Sequence, residues 1–172
     1  MIETIETSRL LLRSFMDEDV DFLHRIQSDP NAMRYTYCTA SRDESEQRLL
    51  AYAALEEQLG YAPWTVILRS ESIIIGWGGL NTDPFDHGWG VEIAYFFDPS
   101  YWGKGYATEL VRASIGYGFD PFEFSEIKAF AHPENKASIR VLEKCGFKYL
   151  RFEPRLNRNH YTILRRDWRN VA

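Results

Sequence analysis

The sequence predicts a mixed α/β domain of the α+β kind on one central sheet, and three observations lead to it. Apolar stretches of strand length alternate with segments whose apolar residues recur at helical spacing. No repeat or linker interrupts the 172 residues, so a single domain over residues 1–172 is expected, large enough for a real hydrophobic core. Apolar residues make up 45% of the chain and aromatics 15%, which excludes a disordered protein.

Each element has a local reason. Residues 9–14 (RLLLRS) read as a short strand. Asp17, Glu18 and Asp19 then place negative charge at the start of a helix carrying Val20, Leu23 and Ile26, which Asp29-Pro30-Asn31 ends. Residues 32–39 are irregular and hold Tyr35 and Tyr37. Ser41-Arg42-Asp43-Glu44 matches a capping box, opening a helix expected to run to about Leu59 with Gly60 as its C-terminal cap. Residues 64–68 and 72–80 read as strands joined by a polar turn, and the turn-rich 81–90 leads into an apolar strand at 91–97. A helix over 106–119, a strand at 127–131 and a helix over 136–144 closed by Gly146 follow. Two strands, near 147–152 and 161–164, complete the chain.

A net charge of −5 and a pI near 5.4 argue against nucleic acid as a partner and suit a cationic one. Cys38 and Cys145 show neither metal-type pairing nor a disulfide framework, and no metal is expected. The N-terminus lacks the apolar core of a signal peptide, and no run of about 18 apolar residues occurs, so a soluble cytoplasmic protein without a membrane partner is expected.

The most informative stretch joins the 91–97 strand to the 106–119 helix. The strand breaks at Asp98-Pro99, passes Gly103-Lys104-Gly105 and restarts as a helix. Such a turn aims several backbone N–H groups at one point, where the helix dipole also favours negative charge, so it suits a phosphate-bearing ligand. A dinucleotide fingerprint would need a third glycine where Thr108 stands, and the lysine-bearing phosphate loop pattern is absent. An ordinary strand–turn–helix connection is the plain alternative.

A second element, Glu134-Asn135-Lys136-Ala137-Ser138 running on to Glu143-Lys144-Cys145-Gly146-Phe147, decides between them. Together the two segments resemble the GNAT superfamily of acetyl-CoA-dependent N-acetyltransferases. Trp102-Gly103-Lys104-Gly105-Tyr106-Ala107 is similar to its pyrophosphate-binding turn. The opening SRLLLR, YWGKGYATE and ENKASIRVLEKCGF look most like the branch containing ribosomal-protein N-terminal acetyltransferases.

The resemblance implies a mostly antiparallel sheet with a V-shaped opening and helices on both sides. It implies acetyl-CoA as co-substrate, held by the backbone of the 91–97 strand (Phe96 and Phe97), by residues Trp102 to Thr108, and by Asn135 and Ser138. Two positions depart from the pattern. Trp102 replaces the usual Gln or Arg, leaving the pyrophosphate to backbone N–H groups. Leu142 replaces a tyrosine that protonates the departing thiolate, so that task falls to Ser138 or water.

Glu92, a carboxylate among Val91, Ile93, Ala94 and Tyr95, is the candidate general base, directly or through a water, and Ser138 the candidate donor to the thiolate. A solvated glutamate and a helix-start serine are their structural alternatives. Tyr35, Asn81 and Trp89 are candidate walls of the acceptor site. His132 is a weaker proton-shuttle candidate, His87 weaker still, and Cys145 reads as packing. The favoured acceptor is a protein N-terminal α-amino group. A small polyamine, amino acid or antibiotic amine is the second reading, and a non-catalytic acyl-CoA-binding domain a third. A homodimer is compatible with the resemblance.

Overall fold

The structure, a computed structural model, describes residues 4–168, so the sequence expectations for residues 1–3 and 169–172 lie outside the described residues. Among the described residues, eight strands form one sheet: β1 (Ile5–Glu6), β2 (Leu10–Arg13), β3 (Trp64–Leu68), β4 (Ile73–Asn81), β5 (Glu92–Phe97), β6 (Glu126–Ala131), β7 (Lys148–Glu153) and β8 (Arg158–Leu164). Their order is β1-β2-β3-β4-β5-β6-β8-β7. Every neighbouring pair is antiparallel except β5 and β6.

That exception shapes the molecule. The parallel β5–β6 pairing is confined to Glu92 opposite Lys128, where the Lys128 N–H donates to the Val91 carbonyl at 2.9 Å. Beyond it β5 continues with β4 as far as Phe97 opposite Gly76, while β6 continues with β8 as far as Ala131 opposite Asn159. The sheet therefore splits in a V between Ile93–Phe97 and Ala129–Ala131, as expected. Backbone groups alternate in direction along a strand. Asp98 N–H turns toward β4, donating to the Ile75 carbonyl at 2.9 Å, so the backbone groups of Tyr95, three positions earlier and in phase with Val91, face the split. Those of Phe96 belong to the β4 ladder.

Helices cover both faces. On one, α1 (Val20–Gln27) and α2 (Arg42–Ala53) bury Leu23, Ile26 and Leu49 against Trp77 and Phe96. On the other, α4 (Tyr106–Phe119) and α5 (Lys136–Lys144) bury Val111, Ile115, Phe119 and Leu142 against Leu80, Ile93, Ile127 and Ala129.

Two boundaries differ from the sequence expectation, and two short elements add to it. The helix after Ser41 breaks at Ala54, and a separate turn of helix, α3 (Leu55–Leu59), carries on to Gly60. The break lets Leu55 pack with Leu10, Leu12 and Trp64, whereas Leu49 packs with α1. Gly60 caps α3 in the left-handed region, φ 81°, as its position suggested. β8 begins at Arg158 because backbone pairing extends over the polar Arg158-Asn159-His160, with Asn159 and His160 opposite β6 and Arg158 opposite Glu153 of β7, a ladder that side-chain periodicity does not reveal. β1, two residues long, exists through its pairing with β2, and α6 (Arg165–Trp168) closes the described chain.

Candidate functional site

Glu92 stands at the root of the split. It is the register partner of Asn81, so both side chains lie on the α1–α2 face, and Asn81 Nδ2 donates to Glu92 Oε1 at 3.1 Å. A cavity of about 190 Å³ opens there, lined by Glu92, Asp83, Asp86, Trp89, Phe130 and Arg158, with Leu156. Burial, then the charges of Asp83 and Asp86, push the Glu92 carboxyl up to about 8, while the Asn81 hydrogen bond and Lys128 act the other way. Trp89 Nε1 donates to Asp86 Oδ2 at 3.0 Å. Arg155, from the turn before β8, pairs with Asp86 and lies 5.2 Å from the centre of the Trp89 ring, tying two loops together at these two lining residues.

The glycine turn lies at the other end of β5. Gly103 and Gly105 have φ of 72° and 86°, a region that favours glycine, and a side chain at Gly103 would meet nothing within 4 Å. The turn is therefore an open cradle at the N-terminus of a helix of 14 residues. It is held from behind by the first strand pair. Arg9 Nη1 donates to the Lys104 carbonyl at 2.8 Å, and Arg9 Nε to Glu109 Oε2 at 2.7 Å. Glu109 Oε1 also accepts from Thr7 Oγ1, Ser8 Oγ and the Arg9 N–H at 2.6–3.0 Å. The Trp102 indole N–H is committed to the Phe97 carbonyl at 2.9 Å, so its polar atom serves the end of β5.

The opposite face of the split carries a pair that sequence reasoning half missed. Tyr95 is odd-numbered against Glu92 and so points to the α4–α5 face. Its hydroxyl lies 2.9 Å from Ser138 Oγ. Asn135 caps α5, its Oδ1 accepting from the Ser138 N–H at 3.1 Å. No local signal links Tyr95 to Ser138. The clue available in sequence was Gly76-Trp77-Gly78-Gly79 in β4, an apolar strand with no side chain opposite Tyr95.

The other candidates fall into two groups. Asn81 is buried and touches Glu92, and Trp89 lines the cavity; Tyr35 stands one step outside it, its carbonyl accepting from Arg158 Nη2 at 2.7 Å and its ring stacked 5.2 Å from that of His132. His132 Nδ1 accepts the Glu134 N–H at 3.2 Å, a turn-stabilising role. His87 is exposed and absent from the cavity wall. Cys145 and Leu142 are buried in the core. Phe96 does not meet the expectation that it holds the cofactor, because its ring is buried against Trp77 and its backbone groups pair with β4; Phe97 also buries its ring, in a separate cluster, and only its backbone lies on the split side, with its carbonyl taken by Trp102.

Comparison with known proteins agrees with this geometry. Residues 9–148 match the model of the acetyltransferase (GNAT) domain. An uncharacterized N-acetyltransferase, p20, of Bacillus licheniformis is 34% identical over 151 residues, covering 86% of this chain and 83% of its own. The crystal structure of a GNAT-family acetyltransferase from Bacillus anthracis superimposes with a TM-score of 0.78 at 27% identity, over 95% of this chain and 99% of that one. Spermidine N-acetyltransferase from Vibrio cholerae, in complex with CoA and spermine, shares the fold at a TM-score of 0.75 and 23% identity, over 95% and 100% of the two chains. An open β5–β6 split beside a helix-capping glycine turn, matched by family and relatives over most of the length, means that this chain belongs to the GNAT family of acetyltransferases.

Proposed function

We propose that the chain transfers an acetyl group from acetyl-CoA to the primary amine of a small cationic acceptor that enters the Glu92 cavity. The carrying observation is Glu92 itself: a carboxyl at the root of the split, pushed up to about 8, on the wall of an acidic cavity. A base of that strength matches the proton it must take as the amine becomes an amide. Asp83 and Asp86 favour a cationic acceptor, and the indole of Trp89 offers it a π-face.

Acetyl-CoA fits the residues present and supplies an activated thioester. The turn from Gly103 to Thr108 offers N–H groups for a pyrophosphate, with both glycines in the conformation the cradle needs. Asn135 and Ser138 face the cofactor from the start of α5. The Tyr95 backbone, facing the split, is a free edge for the amides of an extended chain.

The protein N-terminal α-amino acceptor that the sequence favoured, on the SRLLLR and YWGKGYATE wording of the ribosomal-protein branch, becomes the second reading. An acetyl-CoA-consumption screen over polyamines, aminoglycosides, amino acids and N-terminal peptides tests both. Turnover with small polycations alone is expected; turnover with peptides alone overturns the preferred acceptor, and saturable acetyl-CoA binding without turnover of any amine favours a non-catalytic domain.

Asn81 has a measurable part in this scheme. Its hydrogen bond holds the Glu92 carboxyl lower than burial alone would, so Asn81→Ala is expected to move the rising limb of the pH–rate profile to higher pH. An unchanged limb would mean that Glu92 is not the group that limits the rate.

A further inference from the structure

The Tyr95 hydroxyl belongs to no role assigned above, and its placement is unusual. Tyr95 stands on β5 and Ser138 on the helix that follows β6, so their 2.9 Å contact crosses the split where the two strands no longer pair. Its ring fits because β4 presents glycine opposite: a Cβ at Gly78 would lie 2.5 Å from Tyr95 Cβ. Leu142, one helical turn beyond Ser138, is wholly apolar and buried, so α5 offers no other hydroxyl on that side.

We propose that Tyr95 is a positioning residue for the leaving group: it donates to Ser138 Oγ and so turns the Ser138 hydroxyl hydrogen toward the sulfur of CoA. A hydroxyl in isolation rotates and shares its hydrogen among several acceptors. A fixed donor on one lone pair removes that freedom and polarises the second bond. Burial pushes the Tyr95 phenol up to about 12, against the Ser138 hydrogen bond, so the hydroxyl keeps a hydrogen to donate throughout the working pH range. In the transfer, the neutral amine nitrogen bonds to the acetyl carbon and the carbon–sulfur bond breaks. Its electron pair passes to sulfur, where Ser138 stabilises the thiolate. The proton released from nitrogen goes to Glu92, and the sulfur later takes one from water.

This inference rests on the acetyl-CoA reading, and binding of the product separates the two. The probes are CoA and desulfo-CoA, which differ only in the sulfur, with affinities measured calorimetrically at pH 9, where the thiolate is well populated. The parent protein is expected to prefer CoA by about tenfold, the value of a hydrogen bond to a charged atom. Tyr95→Phe, which keeps the ring and its packing, is expected to bind the two nearly equally. Ser138→Ala should do the same, and the double variant should show no further change. A preference retained in Tyr95→Phe but lost in Ser138→Ala overturns the role of Tyr95, and one retained in Ser138→Ala overturns the whole arrangement, whether or not Tyr95→Phe folds. If the parent binds neither probe, the acetyl-CoA reading itself has failed.

Discussion

Glu92→Gln is expected to lower kcat/KM by roughly 10²–10⁴-fold, the usual contribution of a positioned general base. The same substitution should raise stability at alkaline pH, and the two effects together identify the residue. The folded-state value, about 8, lies well above the ordinary glutamate value of 4.5. Between those limits the folded chain keeps a proton that the unfolded chain has released, so stability falls as pH rises from about 4.5 to about 8 and is level above both. Glutamine carries no charge and escapes the penalty. Melting temperatures of parent and variant should therefore be close at pH 4 and diverge by pH 9, with the variant higher. In the parent, activity should rise with pH through about 8 as the carboxylate forms; in the variant, that limb should vanish. An unaltered profile would remove Glu92 from the chemistry.

Gly78→Ala should destabilise the protein by about 3 kcal/mol, at the upper end for inserting one methyl into a close-packed site. The added Cβ would lie 2.5 Å from Tyr95 Cβ and 2.6 Å from the Ala94 carbonyl oxygen, and neither atom can swing aside as a side-chain tip can. β4 and β5 must separate instead. Three residues on, the same pair of strands carries Asn81 opposite Glu92, so the hydrogen bond that restrains the base is strained as well. Denaturant unfolding measures the first effect, and a shift of the pH–rate limb the second. If Gly78→Ala unfolds at the same denaturant concentration as the parent, the strands are not as closely set as described.

Much of the architecture was legible without coordinates. The capping serine of α2, Gly60, the start of α4 after Gly105, and Asn135 ahead of α5 are local signals, each decided within a few residues. Glu92 was also legible, though partly for the wrong reason. Ile93 and Tyr95, which seemed to desolvate it, point to the opposite face, and its shift comes from burial on the α1–α2 side together with Asp83 and Asp86.

The chain's own order of residues determined the strand, the glycine turn, the helix starts and the family they resemble, because periodicity and capping act over one or two turns of backbone. Only the tertiary structure decided that β5 and β6 meet at a single register point and then part. It alone brought Arg9 to Glu109, 100 residues away, and Tyr95 to Ser138, 43 residues away. It also broke the long helix at Ala54, so that Leu49 and Leu55 could serve different cores. Such contacts depend on which strands pair and where a helix lands, choices made by burial of the whole core rather than by the conformational preference of any segment.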